Sequence, residues 1–264
     1  MTSRIRWALV DGWTVTQRDL LHWARQPWVL VLGLLFPVLI LAMFTYLFGG
    51  GMAVPDGGSY RDFLVPGMLA MTMFFGLEGT VAAVTTDAAR GVTDRFRSMP
   101  MAPSAMVLGR NGADMLNAVA GLLVMVLCGL LIGWRWYDGL GSALIAFGLL
   151  LWLRFAVLWI GIYLGLILKS PESIVAIQIL VWPVGFASNV YTSPATMPAW
   201  LGAIADWNPL SATVGATRAL FGNPSWEGGS WAAQHALPLA LIWPALLVAI
   251  FFPLAVRAYR RLRA

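Results

Sequence analysis

Cysteine, lysine and histidine are nearly absent from this chain, and each shortage closes off a class of function. Cys128 is the only cysteine, so neither an intrachain disulfide nor a thiolate metal cluster can form, and it reads as a small core residue. Lys169 is the only lysine and follows Leu168, so the Gly-Lys pair of a phosphate-binding loop is missing. His22 and His235 lie in different segments, expected near interfaces on opposite sides of a membrane, which argues against a shared metal site. The serines have no readable His/Asp partner for nucleophilic catalysis. Charge is scarce as well. Only 11% of the 264 residues are charged, where a soluble domain carries about a quarter.

What fills the chain instead is apolar: 59% of residues are hydrophobic and the mean hydropathy is +0.76. The hydrophobic residues gather into six runs, Trp28 to Phe48, Phe63 to Val84, Met106 to Gly133, Leu140 to Leu168, Ile174 to Tyr191 and Ala236 to Val256. A bilayer core of about 30 Å takes about 20 residues in a helix, and lipid cannot satisfy free backbone amides. The runs therefore predict an all-α integral membrane protein with six transmembrane helices.

The pI near 9.9 raises the question of nucleic acid, but the basic residues border the apolar runs and form no patch. Counted by loop, one side holds Arg4, Arg6, Arg18, Arg25, Arg90, Arg95, Arg97, Arg110, Lys169, Arg257, Arg260, Arg261 and Arg263. The other holds Arg61, Arg135 and Arg218. The positive-inside rule then places both termini in the cytoplasm. The strong preference for Arg over Lys suggests a GC-rich bacterial genome, hence a bacterial cytoplasmic membrane.

Three segments stand outside the spans. Residues 1–27 mix Trp7, Trp13, Leu20 and Trp23 with Arg4, Arg18 and Arg25, as an interfacial amphipathic helix does. The 85–105 loop, between spans two and three, predicts a cytoplasmic helix closed by Pro100 and Pro103. In it Val92, Phe96 and Met99 make one apolar stripe, with Arg90, Arg95 and Arg97 around it; the stripe docks a partner or packs on the protein's own helix ends. On the outer side, the 192–235 segment combines Trp200, Trp207, Trp226 and Trp231 with Pro194, Pro198, Pro209 and Pro224, which predicts short helices dipping into the outer leaflet. Trp28, Trp134 and Trp136 read as interface anchors. Residues 28–256 form the membrane domain and 257–264 a basic cytoplasmic tail.

Within the spans, Glu78 and Arg154 stand out, because a charge at mid-bilayer costs about 2.5–3.5 kcal/mol on insertion scales. They either pair with each other or line a polar path. Gly161 and Gly165 form a small-xxx-small seam, for packing inside the chain or against a second copy. An ion channel or secondary transporter would need more titratable groups at the midplane, and an intramembrane enzyme would need a nucleophile or metal constellation.

Three stretches resemble the daunorubicin-resistance permease family of type-2 ABC exporters. They are QRDLLHWARQPWVLVLGLLFPVLILAMFTYLFG from Gln17, TTDAARGVTDRFRSMPMAPSAMVLGR from Thr85 and NPLSATVGATRALFG from Asn208. The resemblance implies a non-catalytic permease moving hydrophobic or amphipathic substrates outward, whether drug-like natural product, lipid or glycolipid. It implies two separate ATPase subunits, which bind the ATP and Mg, and a second permease subunit. It makes Val92, Phe96 and Met99 the docking anchors of a coupling helix, with Arg90, Arg95 and Arg97 as its charged surround.

Overall fold

The computed structural model describes residues 27–49, 51, 58–89, 103–168, 172–225 and 230–261. The N-terminal amphipathic segment before Pro27, the coupling residues Arg90, Val92, Arg95, Phe96, Arg97 and Met99, and the last three residues lie outside the described residues.

Every regular element among the described residues is helical. Helix α1 runs Pro27–Met43 and continues as a π-helical stretch, Phe44–Phe48. It is followed by α2 (Tyr60–Ala89), α3 (Pro103–Leu131), α4 (Gly139–Ile167) and α5 (Glu172–Phe186). A 3-10 turn, Pro194–Thr196, and three short α-helices come next, α6 (Ala199–Asp206), α7 (Pro209–Phe221) and α8 (Trp231–Gln234), and α9 (Ala236–Arg261) is the last described helix. Four of these, α2, α3, α4 and α9, are long and apolar enough to cross a membrane; α1 and α5 are shorter apolar helices.

Helices α2 and α4 form the central pair. Glycines at 161 and 165 of α4 let it close on α2: a Cβ at Gly161 would lie 2.9 Å from Thr80 Cβ, and one at Gly165 would lie 2.7 Å from Val84 Cβ. The small-residue seam thus serves packing inside the chain. On its other side α4 meets α9 through Leu158, Trp159, Ile162 and Ala255, with the Trp159 ring edge-on to Phe252 at 4.7 Å. Helices α1, α3 and α5 flank α2. The long helices alternate in direction, so the ends at Ala89, Pro103, Ile167 and Glu172 fall at one end of the bundle. At the opposite end α7 wedges against α2, α4 and α9.

Local sequence explains that wedge. Asn208 caps α7 by accepting from the Leu210 N–H at 2.9 Å, and Pro209 in the first turn has no N–H to leave unsatisfied. Gly222 ends the helix at φ +66°, the left-handed conformation that glycine adopts without a Cβ penalty.

Candidate functional site

The first element of the site is a buried polar cluster where α2, α3 and α4 meet. Gly76 and Thr80, one turn apart on α2, face α4. The Arg154 guanidinium fills the notch left by the missing side chain of Gly76; a Cβ there would lie 2.6 Å from Arg154 Cζ. Arg154 Nη2 donates to Thr80 Oγ1 at 3.0 Å, and Thr80 Oγ1 donates to Asp114 Oδ2 of α3 at 3.0 Å. Thr80, Asp114 and Arg154 are all buried, as is Asn111 one turn before Asp114. One hydroxyl therefore bridges a cation and a carboxylate carried by three helices, which offsets the cost of burying either charge alone.

Of the two readings of Glu78 and Arg154, direct pairing or a polar path, the first is not met: this arrangement does not bring the two side chains together. At about 100° per residue, Glu78 lies about 200° around α2 from both Gly76 and Thr80, so it faces away from α4. Its Oε2 accepts instead from Gln178 Nε2 of α5 at 3.1 Å. Asp114, inside the third hydrophobic run, is the charged partner that sequence reasoning missed. The signal was present as a carboxylate in an apolar stretch.

The second element is an aromatic cleft between α1, α2 and α5. It is narrow, with room of about 20 Å³, opens partly to the surroundings, and is walled by Phe36, Met71, Phe75, Trp182, Phe186 and Tyr191 among others. The rings form a ladder centred on Trp182, with centroids 5.3 Å from Phe36, 5.1 Å from Phe75 and 5.9 Å from Phe186.

The third element fastens the α7 end of the bundle. The side chain of Arg218 is fully buried; Nε donates to the Phe63 carbonyl at 2.9 Å, Nη1 to that of Asn189 at 3.0 Å and Nη2 to that of Val190 at 2.9 Å. Its Cζ sits 3.6 Å from the centre of the Phe63 ring. Burial holds its pKa below the ordinary guanidinium value. Asn208 adds two bonds of 2.8 Å to the carbonyls of Val184 and Ala187 at the end of α5. Trp134, expected as an interface anchor, is buried too: its Nε1 donates to Asn223 Oδ1 at 2.8 Å and its ring stands edge-on to Phe221. Arg218 likewise departs from its sequence reading as one of the loop residues of the outer side, since it is enclosed by protein.

The profile of the ABC-2 type transporter family matches residues 11–221. The chain belongs to that family. It is a multi-pass membrane protein and the permease subunit of an ABC exporter. The permease is 34% identical over 250 residues to the daunorubicin resistance ABC transporter permease protein DrrB1 of Streptomyces coeruleorubidus, covering 94% of this chain and 85% of the relative. It is 26% identical over 245 residues to the putative transport permease ycf38 of Cyanophora paradoxa, covering 91% of this chain and 84% of the relative. A doxorubicin resistance ABC transporter permease protein DrrB of Mycobacterium tuberculosis matches at 26% over 141 residues, 52% of this chain and 48% of the relative. The family match takes in the polar cluster, the aromatic cleft and the Asn208–Arg218 segment, and stops short of Asn223.

Proposed function

We propose that this permease moves hydrophobic or amphipathic compounds of the drug-like, lipid or glycolipid kind out across a bacterial cytoplasmic membrane. The supporting observation is its similarity over 94% of its length to a permease named for daunorubicin resistance. In this reading two ATPase subunits bind ATP and Mg and hydrolyse the nucleotide, a second permease subunit completes the pathway, and the chain itself performs no catalysis.

Helix α1 with its π-helical extension and α5 with the residues around it complete six crossings. The 90–102 connection and both termini lie in the cytoplasm, in keeping with the basic residues gathered there. Residues 1–27 lie along the inner leaflet, and α6, α7 and α8 dip into the outer one. Phe96 anchors the coupling helix in the ATPase, flanked by Val92 and Met99, with Arg90, Arg95 and Arg97 at the rim.

Co-purification tests the reading. Phe96→Ala should release the ATPase or uncouple hydrolysis from transport with the permease still present in membranes, because a central aromatic contributes more than rim charges do. Arg97→Ala should weaken the contact modestly and mainly at low salt, since at high salt the rim charge is already screened. Normal ATPase retention and transport by Phe96→Ala would remove the coupling-helix assignment.

A further inference from the structure

Two exposed arginines at the α7 end of the bundle take no part in the elements described above. Counted by loop, Arg61, Arg135 and Arg218 are the basic residues of that side, and Arg218 is enclosed by protein with Nε, Nη1 and Nη2 each bonded to a carbonyl. Arg61 and Arg135 remain, and both reach the C-terminal end of α3. Arg61 Nη1 donates to the Ile132 carbonyl at 3.3 Å, and Arg135 Nη1 to those of Leu130 at 2.8 Å and Trp134 at 2.7 Å. Capping a helix end in this way accounts for one nitrogen of each guanidinium. Among the described residues, Nε and Nη2 of both make no hydrogen bond and neither arginine makes an ion pair. The carboxylates of this corner are engaged elsewhere: Asp62 is buried and accepts from Tyr137 Oη at 3.2 Å, and Asp138 lies against Gly222 of the α7 end.

The surroundings place these two guanidiniums at the depth of lipid headgroups. Leu123, Leu127 and Leu131 are exposed on α3 at intervals of four, so an apolar surface runs to the last residue of the helix. Arg135 comes four residues later, beside Trp136 and the exposed Tyr137, and exposed Leu140 opens α4. Apolar surface that gives way to aromatic and basic residues marks the bilayer interface. The groups that meet a guanidinium fork there are phosphates, whose oxygens it binds by paired, charge-assisted hydrogen bonds.

We propose that the Arg61–Arg135 corner binds the phosphate of an anionic phospholipid. Backbone carbonyls already hold both side chains, so little further freedom is lost on binding. A zwitterionic headgroup carries its own cation, which competes for the phosphate, whereas phosphatidylglycerol leaves that charge to the protein. The binding needs only a membrane surface at this end of the bundle; that the surface is the outer leaflet rests on the orientation proposed above.

The test uses the full-length permease in nanodiscs of equal phosphatidylglycerol and phosphatidylcholine, with a trace of one or the other carrying the same photoactivatable acyl chain. Adducts are mapped by peptide mass spectrometry, which separates this corner from the basic residues at the other end of the bundle. Around Leu131 to Leu140 the glycerol lipid should label the wild-type protein about tenfold more than the choline lipid. Arg61→Gln and Arg135→Gln should each lower that ratio about threefold, and the double variant should bring it near one. Arg61→Lys with Arg135→Lys, which keeps both charges, should hold most of the preference. Equal labelling of the wild-type corner by the two lipids, or an unchanged ratio in both single variants, would overturn the proposal. So would loss of the labelling in millimolar inorganic phosphate, which would assign the corner to a soluble anion. Labelling is read without nucleotide or ATPase, so its failure leaves the exporter reading intact. The leaflet is checked apart from it, by maleimide labelling of a cysteine at Ser225.

Discussion

At the residue scale, the charges of the spans are handled in two ways. Arg154 is met by Thr80 and, through it, by Asp114, whereas Glu78 is met by a neutral amide. Thr80→Val keeps the side chain's shape and removes the bridging hydroxyl. It should lower stability by about 1–3 kcal/mol, read as a fall in melting temperature in detergent. A double-mutant cycle of Thr80→Val with Arg154→Leu should show coupling, and one of Glu78→Gln with Arg154→Leu should be additive within about 0.5 kcal/mol. Additivity in the first cycle, or coupling in the second, would contradict the geometry. Arg154 and Glu78 were legible in the sequence as costly residues. Their partners were not, because the choice between Thr80 and Glu78 depends on which face of α2 meets α4, and an all-round apolar helix carries no pattern that reveals its face.

At the element scale, the α2–α4 seam and the capped α7 end have different origins. The Gly161/Gly165 spacing announced a close approach but left open whether the neighbour was internal or a second copy; the contacts with Thr80 and Val84 settle it as α2. Gly165→Leu should accordingly destabilise the monomer fold, by about 1–3 kcal/mol or more, and lower its yield in membranes. A variant that folds normally and fails only to self-associate would place the seam elsewhere. The short helices of the 192–235 segment were legible from its prolines and tryptophans. The burial of Arg218 was not, since an arginine next to a predicted loop reads as solvated until the three carbonyls that hold it are seen. Arg218→Ala should cost several kcal/mol, on the order of 3. Arg218→Lys should rescue little of it, because an ammonium lacks the planar fork that reaches Phe63, Asn189 and Val190 together.

At the scale of the whole molecule, topology is the statement most open to direct test. In a Cys128→Ala background, single cysteines at Ser98 and Ser225 should react with an impermeant maleimide from opposite sides of the membrane. Labelling of Ser98 from outside would invert the orientation. The fastening of the α7 end also bears on how α5 can move. Asn208 holds the last turn of α5, and Arg218 holds the turn just beyond it to the start of α2. With that end pinned, α5 has a fulcrum, and any swing against α2 grows along the helix's length of about 22 Å. Toward the other end of this lever, at Glu172, the side-chain hydrogen bond to α2 among the described residues is that of Gln178 to Glu78. A small push delivered there would open the Phe75–Trp182 contact while the far end stays shut.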